Sequence, residues 1–222
     1  MITKALVSFA EGQDYRNLLN IAIPSFYDYS NLHNYDLIIP SHKFVLDSCH
    51  EFGYKYGERA SSWLKIPIIR SLIKKYDIVL WIDCDVVITK FDSDVAENFI
   101  NSKYIQSFVV HHVSKQYVPN MGVWLLNNNS NDLLSNIWNK HGLINHPWWE
   151  QQANITLMNW NINKDKQEEL SQYGQESLIL PYEWNVHKND SRYNLEYKNG
   201  RFMHSTMWPN RLKIMKEWAC QE

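Results

Sequence analysis

The stretch Tyr76-Asp77-Ile78-Val79-Leu80-Trp81-Ile82-Asp83-Cys84-Asp85-Val86-Val87-Ile88-Thr89 decides how the chain is read. Ile78 to Ile82 form an unbroken apolar run rich in β-branched residues, the pattern of a strand buried on both faces. The run ends in two carboxylates, Asp83 and Asp85. In mid-strand such a pair would be buried at heavy cost. At the carboxyl end of a central strand it lies where open α/β sheets bind ligands. Two carboxylates there can share a hard divalent cation, and the cation can hold a diphosphate. With no cation they should repel one another. An Asp-x-Asp pair also fits a solvated turn, so the flanking chain has to decide.

Upstream, Ala5 to Phe9 reads as a first buried strand, followed by a turn at Ala10-Glu11-Gly12-Gln13. Asp14 is placed to cap a helix to about Tyr29, with Leu18, Leu19, Ala22, Phe26 and Tyr29 on one face and Pro24 as a kink. Asp36 to Pro40 is a second short strand, so the order argues a parallel βαβ unit. Residues 42–57 suggest a further short strand. A helix opens at Ser61 or Ser62 and reaches Tyr76, with Pro67 near its first turn.

Downstream, a short helix is expected over Asp94 to Asn101 and a strand over Tyr104 to Val113. Pro119-Asn120 reads as a turn entering a buried strand to Asn127. Helices follow at Asn131 to Lys140, Trp148 to Met158 and Pro209 to Trp218, and strands at Ser177 to Leu180 and Gly200 to His204. The expected fold class is α/β: a mainly parallel central sheet flanked by helices, in one domain over 1–222. Residues about 1–90 would be the nucleotide-binding half and about 91–222 the donor-sugar and acceptor half.

The chain has 222 residues, 22 basic against 24 acidic, for a net charge of −2. That balance points to neither a nucleic-acid nor a membrane partner. Cys49, Cys84 and Cys220 are too far apart for a metal pattern or a disulfide framework, which favours a reducing compartment. The amino-terminal apolar run is too short for a signal peptide, and no stretch approaches the ~20 residues that span a bilayer. The expected location is the cytoplasm, or a soluble domain of a longer protein. Ten tryptophans and thirteen tyrosines are many for this length. Aromatic faces suit sugars, but most of these rings are expected in the core.

Several motifs now fall in one order: Trp63-Leu64-Lys65-Ile66, the Leu-Trp-Ile-Asp-Cys-Asp strand, Asn120-Met121-Gly122-Val123, Trp149-Glu150-Gln151-Gln152, Leu180-Pro181-Tyr182-Glu183-Trp184-Asn185 and Phe202-Met203-His204. Together they resemble glycosyltransferases of the GT-A fold, over about residues 3 to 215. The resemblance is nearest to the galactosyl-, mannosyl- and xylosyltransferases of fungal and plant Golgi, more distant to glycogenin-like enzymes, and extends to small viral transferases acting on capsid glycans. It implies a nucleotide-sugar donor, a UDP-sugar first, a glycan or other hydroxyl acceptor, and a lean toward retention of configuration.

The resemblance also implies roles. Asp85 would bind the metal, Asp83 would share it or reach the ribose, and His204 would be a third ligand. Carboxylates with an imidazole favour Mn²⁺ and leave Mg²⁺ open. Ser8, Phe9 and Ala10 would hold the nucleobase and ribose. Lys65 would face the donor sugar or phosphate, and Asn120 and Gly122 would form the turn under the sugar. Glu150 and Gln151 would hold sugar hydroxyls at the catalytic centre, and Asp190, on a loop near the acceptor side, is a candidate catalytic base or sugar-facing acid. Where glycogenin-like enzymes carry a glycine three residues past the histidine, this chain has Met207, so the diphosphate falls to Arg211 or Lys213. Two other readings remain open: a sugar-phosphate nucleotidyltransferase, which normally needs more than the one glycine after the first strand, and a sugar-binding protein with no catalysis.

Overall fold

A computed structural model describes residues 2–206 and 208–220. In chain order the elements are β1 (Lys4–Val7), α1 (Gln13–His33), β2 (Asp36–Ile38), α2 (His42–Glu51), α3 (Lys65–Leu72), β3 (Ile78–Ile82), β4 (Val86–Ile88), β5 (Gln106–Val113) and β6 (Gln116–Asn127). There follow α4 (Asn131–Trp138), α5 (Trp149–Leu157), α6 (Gln172–Gln175), β7 (Ser177–Leu180), β8 (Val186–His187), α7 (Tyr193–Glu196), β9 (Phe202–His204) and α8 (Arg211–Ala219). Among the described residues no helix is long and apolar enough to cross a membrane.

The central sheet has six strands in the order β2-β1-β3-β6-β5-β7, and β4-β9-β8 form a second, small sheet. In the large sheet β1 pairs parallel with β2 and β3, and β5 with β7, while β6 runs antiparallel to both neighbours. The sheet is therefore mainly parallel with one reversed strand. β3 is central and buried along its whole length. Its alternate residues feed two cores. Ile78, Leu80 and Ile82 pack with α1 and α8, while Val79 and Trp81 pack with α2 to α5.

Five local expectations need correction. Residues 42–51 are helix α2, not strand: the Ser41 hydroxyl accepts from Phe44 N–H at 3.2 Å, and Val45, Ser48 and Cys49 form its buried face at helical spacing. The helix after Ser61 begins as a 3₁₀ turn over Ser61–Leu64, and α3 ends at Leu72. Residues 94–101 form turns, because Asp94 is drawn into bonds from Lys4 Nζ and Tyr35 Oη, each 2.6 Å. Helix α1 starts with Gly12 at its N-cap, runs through Pro24 and reaches His33.

The fifth correction shapes the site. Pro119-Asn120 is not a turn but lies inside β6. Phe108 pairs with Trp124, whereas the next residue, Val109, pairs with Asn120. Residues 121–123 thus bulge from β5, and the Gly122 carbonyl meets Asp83 N–H at 2.7 Å.

Leu80 is fully buried at the centre of β3. Leu80→Ala should lower the unfolding free energy by about 2–5 kcal/mol, read as a lower urea midpoint.

Candidate active site

Strand β3 releases Asp83 at its carboxyl end, and the turn through Cys84 and Asp85 leads into β4. Antiparallel pairing of β4 with β9 sets Val86 opposite His204, and Ser205 N–H donates to the Asp85 carbonyl at 2.8 Å. Two segments more than a hundred residues apart are thereby locked together. Asp83, Asp85 and His204 each offer one ligand atom, and these atoms all lie within 4.8 Å of one another. Two carboxylates and one imidazole suit a divalent cation.

The acid pair does not simply repel itself, as the bare sequence suggests. Asp83 Oδ1 accepts from Lys65 Nζ at 3.1 Å and from Trp81 Nε1 at 2.7 Å. Asp85 meets His204 Nε2 at 3.2 Å and Arg211 at 3.3 Å. Burial pushes the Asp85 carboxyl up, but the charges of His204 and Arg211 outweigh it and hold the group below its ordinary value. Burial likewise pulls His204 down, and the Asp85 carboxylate outweighs it, so His204 titrates above an ordinary histidine.

Lys65 lies in this cluster, with its charge matched by groups of the protein itself. Its ammonium is buried and 2.9 Å from Glu150 Oε1, 3.1 Å from Asp83 Oδ1 and 3.3 Å from the Met121 carbonyl. Three donors meet three oxygens. Burial disfavours the charge, yet the two carboxylates raise the lysine above its usual range. Burial also raises Glu150 despite Lys65, and Glu150 Oε2 meets no hydrogen-bond partner among the described residues. Gln151 Oε1 accepts from Met121 N–H at 3.3 Å.

Gly122 is required by packing: a Cβ there would come within 2.5 Å of His204 Cε1. Ser8 is buried at the end of β1 with its hydroxyl unpartnered among the described residues, and Phe9 and Ala10 follow it. Arg211 opens α8 beside Asp85, whereas Lys213 points outward, 3.9 Å from Glu217. Asp190 stands apart: its oxygens accept from His112 N–H, Arg192 N–H and the Arg192 guanidinium. Sequence reasoning gave no role to Trp81 or Asn185. Asn185 Oδ1 lies 3.0 Å from His204 Nδ1, and nothing in local spacing announces that contact.

Residues 4–158, well over half of the chain, match the model of the galactosyl transferase GMA12/MNN10 family. The chain belongs to this family. A Schizosaccharomyces pombe protein described as an uncharacterized alpha-1,2-galactosyltransferase is 24% identical over 99 residues, 43% of this chain. The match spans only 24% of that protein's length. Among solved structures, a glycosyltransferase involved in glycosylation of the major capsid of PBCV-1 superposes with a TM-score of 0.68 at 14% identity, covering 97% of this chain and 99% of that one. GlyE of Streptococcus pneumoniae TIGR4 gives 0.59 at 15% identity, over 99% of this chain and 61% of that one. Mouse xyloside xylosyltransferase 1 gives 0.51 at 11% identity, over 93% and 98%. The fold of this member of a galactosyl transferase family is the GT-A fold.

Replacing Lys65 by methionine strands Glu150 as a buried, uncompensated charge. Lys65→Met should therefore cost about 3–5 kcal/mol of stability in urea unfolding. Unchanged stability with a raised donor KM would instead make Lys65 a donor-binding residue.

Proposed function

We propose that the enzyme moves a hexosyl or pentosyl group from a UDP-sugar to a hydroxyl of a glycan or other acceptor, with retention of configuration. We further propose that a divalent cation, Mn²⁺ before Mg²⁺, is held by Asp83, Asp85 and His204. The observation that carries the reading is the convergence of those three side chains at the end of the central strand, in a chain of a galactosyltransferase family. Retention rests on the family resemblance alone.

A cation bound there would hold both phosphates and stabilise the charge that grows on the leaving oxygen. The protein's own groups divide the remaining work. Arg211 lies beside Asp85 and has a planar fork that suits phosphate, which favours it over Lys213 for the diphosphate. The free Oε2 of Glu150 is the acceptor for a donor-sugar hydroxyl, and Lys65 beside Oε1 favours the carboxylate form against the effect of burial. Gln151, its amide oxygen fixed by Met121, extends that wall, and Asn120 and Gly122 line it from β6. Ser8, Phe9 and Ala10 take the ribose and base. The bonds of Asp190 to Arg192 and His112 favour an anchoring role over proton transfer. Three free cysteines fit a reducing compartment such as the cytoplasm.

Asp85→Asn keeps the shape of the side chain and removes its charge. Turnover of a UDP-sugar in Mn²⁺ should fall by about 100-fold or more. The metal-free variant should also be less stable than the parent, because His204 and Arg211 lose their counter-charge. Mn²⁺ with UDP should raise the melting temperature of the parent far more than that of the variant. Full transfer activity in Asp85→Asn, or equal UDP affinity in Mn²⁺ and in EDTA by calorimetry, would overturn the reading.

The titration of His204 sets a pH dependence. Its folded-state pKa is raised, so its pairing with Asp85 stabilises the metal-free protein at low pH and is lost as pH rises through that pKa. Asp85 is depressed, so its contribution is lost as pH falls through its own pKa. A cation must displace the His204 proton. Mn²⁺ affinity measured without nucleotide should therefore rise with pH from the ordinary histidine range upward, and level off once His204 is neutral.

A further inference from the structure

We propose that Asn120 and Asn185 form an amide relay that fixes the tautomer of His204. The relay starts at the backbone N–H of Gly122 and presents the His204 Nε2 lone pair to the cation site. The inference rests on the metal reading above and adds two positioning residues to it.

The polarity of the relay follows from one group whose role is fixed. A backbone N–H can only donate, and that of Gly122 lies 2.9 Å from one end of the Asn120 amide. That end must be the carbonyl oxygen. The same oxygen lies 2.8 Å from the Asn185 amide, which must meet it with its NH₂. The remaining end of Asn185 is then its carbonyl oxygen, 3.0 Å from His204 Nδ1. An amide oxygen accepts and never donates, so Nδ1 carries a hydrogen whether the ring is charged or neutral. Neutral His204 is thereby the Nδ1–H tautomer, and its lone pair is on Nε2. Nε2 is the atom that lies 3.2 Å from Asp85 Oδ1.

The surroundings keep the chain of bonds in register. Asn185, buried between Trp184 and β8, is fully enclosed, and His204 is 3% exposed. The imidazole rests against the bare Cα of Gly122, where a methyl would come within 2.9 Å of Nδ1. Asn120 is the last residue paired with β5 before the bulge and Gly122 lies within it, so the bulge that meets Asp83 also sets the spacing of the relay's first two groups. Without the relay, the Asp85 carboxylate would draw the single proton of neutral His204 onto Nε2 and close that ligand position. Metal-bound histidines are held in this way by a partner on the far nitrogen, and loss of the partner typically weakens metal binding by about 10–100-fold.

Two measurements test the relay. Long-range ¹H–¹⁵N correlation on metal-free wild-type protein labelled with ¹⁵N-histidine, at a pH above the His204 titration, should give the Nδ1–H pattern for His204. An Nε2–H pattern overturns the proposal and needs no variant. Mn²⁺ affinity by calorimetry should weaken by about 10–100-fold in Asn185→Leu and Asn120→Leu. Asn120→Asp, whose carboxylate still accepts both bonds, should stay within a few-fold of wild type. If Asn185→Leu does not fold, the two Asn120 variants and the wild-type spectrum carry the test. Wild-type affinity in both leucine variants, while His204→Ala weakens Mn²⁺, overturns the relay and spares the metal reading. Wild-type affinity in His204→Ala overturns the metal reading, and the relay's purpose with it.

Discussion

The ammonium of Lys65 is the group on which the site depends. Moving such a charge out of water costs several kcal/mol even after the protein relaxes. Here the cost is offset because three oxygens from three elements converge on it: Asp83 at the end of β3, Met121 in β6 and Glu150 in α5. None of these elements can move without stranding a buried charge. The strand end proposed to hold a cation and the helix end proposed to hold a sugar are thereby one rigid unit. Lys65 itself is reached through α3, whose other buried residues pack into the core on that side of the sheet.

The two aspartates are balanced by different means, and the difference matters for a cation. Asp83 is held by Lys65 and Trp81, both bonds falling on Oδ1, which leaves its second oxygen available. Asp85 is held by His204 and Arg211. Arg211 is one-third exposed, stands at the start of a helix and can turn away to an incoming anion at little cost. His204 need only give up a proton. A cation held there, as proposed, would therefore exchange with the Arg211 charge and the His204 proton, while Lys65 keeps its contact with Asp83 Oδ1.

The large strands were legible because burial on both faces demands unbroken apolar runs, as in Ile78–Ile82. Helix α2 was not. Only Val45, Ser48 and Cys49 of its ten residues are buried, two of them small, so its apolar stripe is nearly silent. The turns at 94–101 carry helix-forming residues, but distant Lys4 and Tyr35 claim Asp94. The Asp-x-Asp pair pointed to a ligand site once the flanking chain placed it at the end of a buried strand in an α/β sheet. His204 did not: it meets Asp85 only because β4 and β9 pair, and such long-range pairing leaves no local periodicity. The family resemblance, not the residue pattern, singled it out. Asn185 was quoted within a motif and given no role, since a buried amide has no sequence signature distinct from a loop asparagine.

The bulge in β6 explains why so much of the site escapes a sequence reading. Met121 N–H donates to Gln151, the Met121 carbonyl accepts from Lys65, Gly122 N–H donates to Asn120, and the Gly122 carbonyl accepts from Asp83 N–H. The Gly122 carbonyl continues the β3 ladder one step past the Ile82–Val123 pair, and the other three groups lie where residues 121–123 have left β5. Each of the four is taken up by a residue of the candidate site. Backbone groups are the same for every residue type, so their use is invisible in the sequence except where geometry excludes a side chain. That happens once, at Gly122, where the His204 ring occupies the space of a Cβ. The glycine in Asn120-Met121-Gly122-Val123 is thus the mark this main-chain frame leaves in the sequence.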